Sequence, residues 1–292
     1  MIELMNSSRR GKKAPKFDLL SSAAINVGTS RPITFQRNGY IYAYGDAGTT
    51  FFKTLQISNP IAWNNLTINN NNTDGYGGVI SDSFVMGFGV NGGQTRTFAR
   101  RFLLASNAWT TNPTAPSLHG TASAYGTVRN RLYSFGSTSS NMQAMHYDLV
   151  ANAWTNIPNT SNVVGRQGAA GGDGTNMYCL AGFTVAPNLN PADFWRINYA
   201  DNTWTKLASL KHSLYSSSQL CYLNGKLYCI GGVDSTIGSK LSFVAYDIAT
   251  DTWDYLQVPG TITGDVAPGL VTDGTYLYYV SYQKNQVWKI TV

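Results

Sequence analysis

The apolar residues of this chain gather into short aromatic-rich runs divided by polar turns. The most regular set reads IYAYGD from position 41, VMGFGV from 85, LYSFGS from 132, MYCLAG from 177, LYCIGG from 227 and LYYVSY from 277, with starts 44, 47, 45, 50 and 50 residues apart. Each is preceded by another strand-like run and a turn: ITFQ before RNG, GVI before SDS, ASAYGTV before RNR, a GGDG turn, LCYL before NGK and GLV before TDG. Asn-Gly and Asp-Gly tolerate the positive φ of a two-residue hairpin turn, so Asn38-Gly39, Asp173-Gly174, Asn224-Gly225 and Asp273-Gly274 predict hairpins between the first two strands of a unit. After the second strand comes a polar loop of variable length and a third strand-like run: FFKTLQI, FARRFLL, MQAMHYDLV, DFWRINY, FVAYDIA and VWKITV.

A tryptophan phrase opens the fourth strand, as in SNAWTTNP, ANAWTNIP, DNTWTKLA and TDTWDYLQ. Trp63, Trp109, Trp154, Trp204 and Trp253 follow one another at intervals of 46, 45, 50 and 49. Two independent landmarks therefore share one period, which is the mark of a solenoid or a propeller. A four-stranded meander cannot bury both its faces alone, whereas radially packed blades can, and a large aromatic repeated at one point of each blade fills the gap to its neighbour. The five tryptophans are thus assigned to packing rather than recognition. The sixth unit ends without a Trp phrase, while KFDLLSS, residues 16 to 22, resembles TWTKLAS at 203 to 209. It is expected to pair with VWKITV as the missing outer strand, closing the ring and removing an exposed sheet edge. The expectation is an all-β, six-bladed β-propeller of four-stranded antiparallel blades, with residues 16–292 as one domain and residues 1–15 as a flexible arm.

Composition agrees with that pattern. Glu3 is the sole glutamate among 292 residues, the charged share is 12%, and Asn, Ser, Thr and Gly fill the difference, a poor recipe for helices. Of the net formal charge of +6, +4 falls in the first sixteen residues, where Arg9, Arg10, Lys12, Lys13 and Lys16 face only Glu3. The body is nearly neutral, so a nucleic-acid groove is not expected, and only the arm has the charge to dock on an acidic or phosphate-bearing partner. Cys179, Cys221 and Cys229 are odd in number and lack CxxC spacing, which predicts buried thiols and no zinc site. No apolar stretch reaches the length of a membrane span, and MIELMNSSRRGKKAPK has no apolar core behind its charges, so neither a span nor an export signal is expected.

The repeat resembles the kelch-repeat family of β-propellers, through a Gly-Gly pair after the second strand, Tyr-Asp in the third and Trp in the fourth. The resemblance spans residues 16 to 292, and unit five carries the whole set in Gly231-Gly232, Tyr246-Asp247 and Trp253. Unit three keeps Tyr147-Asp148 and Trp154 but has Gly136-Ser137, and units one, two and six depart further. It implies the architecture and leaves function open, since this fold serves enzymes, lectins and scaffolds alike.

In such a blade the loops after the second and fourth strands emerge on one face of the disc and the tight turns on the other. The first face holds the longer loops and is where a site is sought. Its binding candidates are Arg31, Tyr76, His119, Arg166, His212, Tyr215 and Asp265. Glycosidase chemistry needs a matched pair of carboxylates, and here only aspartates from separate blades are on offer. His119, His146 and His212 are the only histidines, too few and too scattered for a zinc or copper centre, and no Ser-His-Asp, phosphate-loop or dinucleotide motif occurs. The chain is therefore expected to be no enzyme and to need neither metal nor cofactor. A glutamate-poor β-protein rich in Asn, Thr and Gly, with no export signal, resembles bacteriophage tail and virion structural proteins. That resemblance implies assembly in the host cytoplasm, location in the virion and docking to other virion proteins or to a host surface receptor, with Arg9, Arg10, Lys12 and Lys13 as a docking arm. The alternatives are a carbohydrate-binding or carbohydrate-modifying propeller that takes a glycan on its loop face, and a cytoplasmic location.

Overall fold

The computed structural model describes residues 14–25, 33–46, 50–66, 75–80, 83–88, 99–106, 108–111, 124–137, 142–158, 168–180, 192–212, 214–217, 219–233, 241–262 and 268–292. Among them there is no helix, and the strands form six antiparallel sheets, called blades here in chain order. Blade one runs through Ile33–Arg37, Tyr40–Asp46, Thr50–Gln56 and Trp63–Asn65, and blade two through Gly75–Ile80, Ser83–Phe88, Ala99–Leu103 and Ala108–Thr111. Blade three comprises Ala124–Val128, Arg131–Ser137, Met142–Asp148 and Ala153–Ile157; blade four comprises Ala169–Gly172, Asn176–Leu180, Phe194–Asn198 and Trp204–Leu207. Blade five has Lys226–Val233, Ser242–Asp247 and Thr252–Leu256 behind a divided first strand, Tyr215–Ser217 and Cys221–Leu223. Blade six sets Gly269–Thr272, Leu277–Ser281 and Gln286–Thr291 in order and takes Lys16–Ser21 as its outer strand, with Lys16 opposite Thr291 and Phe17 opposite Ile290. The fold is a β-propeller of four-stranded antiparallel blades.

The first strands stand innermost. That of blade one lies against those of blades two and six, and successive inner strands touch from two to three, three to four, four to five and five to six. Close approach there requires glycine. A Cβ on Gly171 would sit 2.0 Å from the carbonyl oxygen of Leu220 in the next blade, and one on Gly269 would strike Thr34. In blade five, Ser217 faces Gly231 and Cys221 faces Tyr228, so one extra residue is accommodated as a bulge. The bulge lets the Leu220 N–H reach the carbonyl of Ala170 in blade four at 3.0 Å, and Gly231, at φ 101, absorbs the backbone distortion on the partner strand.

Between blades the repeated aromatics meet. Trp253 of blade five lies 4.9 Å from Phe194 of blade four and donates Nε1–H to the Ala208 carbonyl at 2.8 Å. Trp109 packs on Phe52 of blade one at 6.0 Å. Blade three has Ala144 where blades one, four and five carry Phe52, Phe194 and Phe243, and Trp204 there finds Phe135 instead, at 6.0 Å, while donating to the Pro158 carbonyl at 3.1 Å. Trp63 joins Val271, Tyr278 and Val287 of blade six, and Trp154 packs on Tyr147 of its own blade at 5.3 Å. Phe17 does in blade six what tryptophan does elsewhere, lying edge-on to Phe243 of blade five at 5.9 Å.

In the last three Trp phrases the letter before the Ala or Thr proves to be a backbone device. Asn152, Asn202 and Asp251 have φ of 50, 57 and 52, the left-handed conformation that Asn and Asp tolerate best. Two of these side chains also receive the third-strand tyrosine: Tyr147 donates to Asn152 Oδ1 at 2.5 Å and Tyr246 to Asp251 Oδ1 at 2.7 Å.

The first turns divide into two kinds. Arg37 pairs with Tyr40 and Leu223 with Lys226 across two-residue turns, with both residues of Asn38-Gly39 and Asn224-Gly225 at positive φ, as expected. At Asp173-Gly174 and Asp273-Gly274 the expected two-residue turn is corrected to a four-residue loop, since Gly172 faces Met177 and Thr272 faces Leu277. In each, the aspartate accepts the N–H groups of the second and third residues after it through Oδ1, and Gly174 or Gly274 alone turns left-handed. At both sites the residue before glycine is Asp, whose carboxylate accepts two N–H groups at once, and this Asx cap stands in place of the doubly positive turn.

Candidate binding site at the turn face of the axial channel

A cavity of 460 Å³ opens along the axis toward the tight turns. Its wall is assembled from the inner strands of blades one, three, four, five and six, from Thr34–Arg37 through Gly126, Thr127, Ala170–Gly174 and Gln219–Tyr222 to Leu270–Thr272. Each of these segments enters a first turn of its blade or stops within two residues of one, which places the mouth on the face opposite the long connections.

Much of the polar wall is held by the fold itself. Thr34 hydrogen-bonds Tyr282 through their hydroxyls, and Gln219 donates across blade four to the Tyr125 carbonyl of blade three at 3.3 Å. Asp173 accepts Thr175 and Asn176 N–H on one oxygen and the Tyr178 hydroxyl, at 2.9 Å, on the other. Burial and the adjacent Asp173 carboxylate push the Tyr178 phenol well above its usual range, so it stays a donor. Thr272 donates to Tyr276 O at 2.8 Å and accepts from Gly274 N at 3.0 Å. These bonds fix the positions of the wall. Arg37 brings the one cationic side chain among the lining residues and Asp173 the one carboxylate.

A second polar centre is structural. Between blades three and four, Arg131 pairs with Asp148 at 3.2 Å, donates to the Tyr199 carbonyl at 2.6 Å and stacks on the Tyr199 ring at 4.1 Å. Arg129 covers the same ring at 4.8 Å. Asp148 also accepts Asn130 Nδ2 and the Val150 and Ala151 N–H groups; burial alone would raise its pKa, and these donors with Arg131 bring it below the ordinary value. His146, opposite Tyr133, is 3% exposed with its Nδ1 unpartnered. Burial, reinforced by Arg131, pulls its pKa down to about 4, so it is neutral at pH 7.

The residues predicted as a loop-face site are not gathered among the described residues. Arg31, His119, Arg166 and Asp265 lie outside them, as do Arg9, Arg10, Lys12 and Lys13 of the arm. His212 is half-buried in the connection between blades four and five, with its ring 6.3 Å from that of Tyr255, whose hydroxyl accepts the Lys211 N–H. Tyr76 and Tyr215 are corrected from connections to strands: each belongs to an inner strand, Gly75–Ile80 and Tyr215–Ser217. Those strands start earlier than expected because the blade imposes the pairing, whereas GYGG and YSS, low in β-branched residues, show little strand preference of their own. Gln36, Arg37, Thr127 and Tyr222 at the axial mouth went unnoticed, although they stand within two residues of the predicted turns. Among the described residues no group of three His, Cys or Asp side chains could hold a metal ion, the three cysteines are buried thiols, and no helix is long and apolar enough to cross a membrane.

Comparison with known proteins agrees with the blade that carries the full repeat. Residues 215–257, which span blade five, match the Kelch motif family. Over 89 residues the chain is 30% identical to a protein of Arabidopsis thaliana named as an F-box/kelch-repeat protein, a match covering 30% of this chain and 23% of that one. The chain thus spans under a quarter of the length of that relative. Fold and motif together make this a β-propeller with a kelch motif in its fifth blade.

Proposed function

We propose that the chain forms a closed six-bladed disc that acts without catalysis, as a structural and protein-interaction component of a phage virion or tail. The closure is supported by the pairing of Lys16–Ser21 with Gln286–Thr291 and by contacts between successive inner strands, including blade one with blade six. The kelch motif supports an interaction role, since propellers of this kind present rigidly held loops to protein partners.

One observation carries the docking part. The chain enters the disc through the outer strand of blade six, whose first residue, Lys16, lies beside Thr291 at the turn-face end of that blade. The basic segment before it, with Arg9, Arg10, Lys12 and Lys13, is assigned by this reading to docking on a neighbouring virion protein or a host surface receptor.

Mass spectrometry of what co-purifies with the native protein tests this reading. Recovery with capsid or tail subunits is expected, and lost incorporation after removal of residues 1–13 would assign the joint to the arm. Recovery as a free monomer in the cytoplasm would overturn the virion reading. A second reading, glycan binding on the loop face, is tested by a glycan array with Arg166→Ala and Tyr215→Ala.

A further inference from the structure

We propose that the turn-face mouth of the axial channel is a binding site for a small uncharged polyhydroxylated ligand, of the size of a monosaccharide. The proposal takes its ligand class from the same chemistry as the glycan reading but assigns the opposite face, so the two fail separately.

The volume, 460 Å³, lies within the range of small-molecule sites, about 300–1,000 Å³. The wall is preformed, because Thr34, Asp173, Gln219 and Thr272 are locked by bonds inside the protein. What these bonds leave is a set of neutral groups on alternate blades: the Gln36 amide on blade one, the Thr127 hydroxyl on blade three and the Tyr222 hydroxyl on blade five. Three donor-acceptor groups spaced around an axis suit a ligand with hydroxyls around its own rim. Tyr222 is 38% exposed, and its ring offers a flat surface on which the C–H face of a sugar can lie. Deeper in, Phe35, Leu220 and Leu270 supply apolar wall for that face.

Charge argues against other ligands. A phosphate or nucleotide calls for converging cations, and Arg37 is the one cation among the lining residues, Arg129 beside them being turned to the Gly174 carbonyl and the Tyr199 ring; a cation calls for converging carboxylates, and Asp173 already holds three donors. The one positive and one negative residue cancel, so neither class of ion is drawn in.

Saturation-transfer NMR on the full chain, with the methyl glycosides of glucose, galactose, mannose and N-acetylglucosamine as probes, tests the site. At least one glycoside should give transfer, with affinity falling tenfold or more in Tyr222→Ala and in Gln36→Ala and unchanged in His212→Ala. Thr127→Val keeps the shape of the wall and removes one hydroxyl; it should weaken binding at least threefold with thermal unfolding unaltered, which separates a lost contact from a lost fold. Absence of transfer from all four probes, or transfer that survives these changes and disappears in Arg166→Ala, would overturn the proposal.

Discussion

Trp253 gives its ring to Phe194 and its N–H to Ala208, both in the preceding blade. Trp253→Ala removes the aromatic contact and strands the Ala208 carbonyl, so it should lower stability by about 3 kcal/mol. The expected sign is a lower urea midpoint with little change in slope. His146 yields a prediction in pH. Its folded pKa, about 4, lies below the ordinary histidine value of 6.5, so the unfolded chain takes up a proton first as pH falls. Stability should be full above pH 6.5, decline toward pH 4 and lose nothing more from this group below that, a change of about 3 kcal/mol at most. Urea midpoints between pH 4 and 8 should show this decline and lose that component in His146→Gln. The packing role of tryptophan was readable because five copies cannot all be special. His146 was not: its pKa is lowered first by burial and then by Arg131, and a lone histidine in a strand carries no sign of either.

A strand or turn in this protein is decided partly by its own letters and partly by what faces it. Asn224-Gly225 announces itself, and Gly225→Ala, forced to φ 80, should cost about 1 kcal/mol. Asp273 caps two N–H groups and takes the Tyr278 hydroxyl at 2.7 Å, so Asp273→Ala should cost about 1–2 kcal/mol, read from thermal unfolding. The same dipeptide pattern predicted both turns alike, and only the side-chain cap separates them. Inner strands were the hardest to bound. AAGG in blade four has almost no strand preference of its own, yet it must be small, because a methyl at Gly171 would meet a backbone oxygen that cannot retreat. Gly171→Ala should therefore disrupt the seam between blades four and five, visible as faster amide exchange at Leu220, whose N–H bonds Ala170 there.

Across the whole molecule the period of the aromatic runs was enough to show a propeller of four-stranded antiparallel blades, and KFDLLSS was recognisable as an outer strand by its likeness to another outer strand. A chain beginning at Arg31 lacks that strand and Phe17, leaving the Gln286–Thr291 edge and Phe243 uncovered; it should unfold at lower denaturant and associate through the open edge. Native-like unfolding and a monomeric sedimentation profile would refute this. The axial mouth was not legible, since residues as far apart as Gln36 and Tyr222 become neighbours only when the inner strands converge. The pairing of the outer strand of blade six fixes which end of that sheet its two outermost strands share. Lys16 faces Thr291, and Thr272 faces Leu277 across the 273–276 turn, so all of these stand at one end of the blade, while Ser281 and Gln286 stand at the other. Two spin labels, one at Lys16 and one at Asp273, would therefore sit on the same side of the sheet, and one at Gln286 would report from across it.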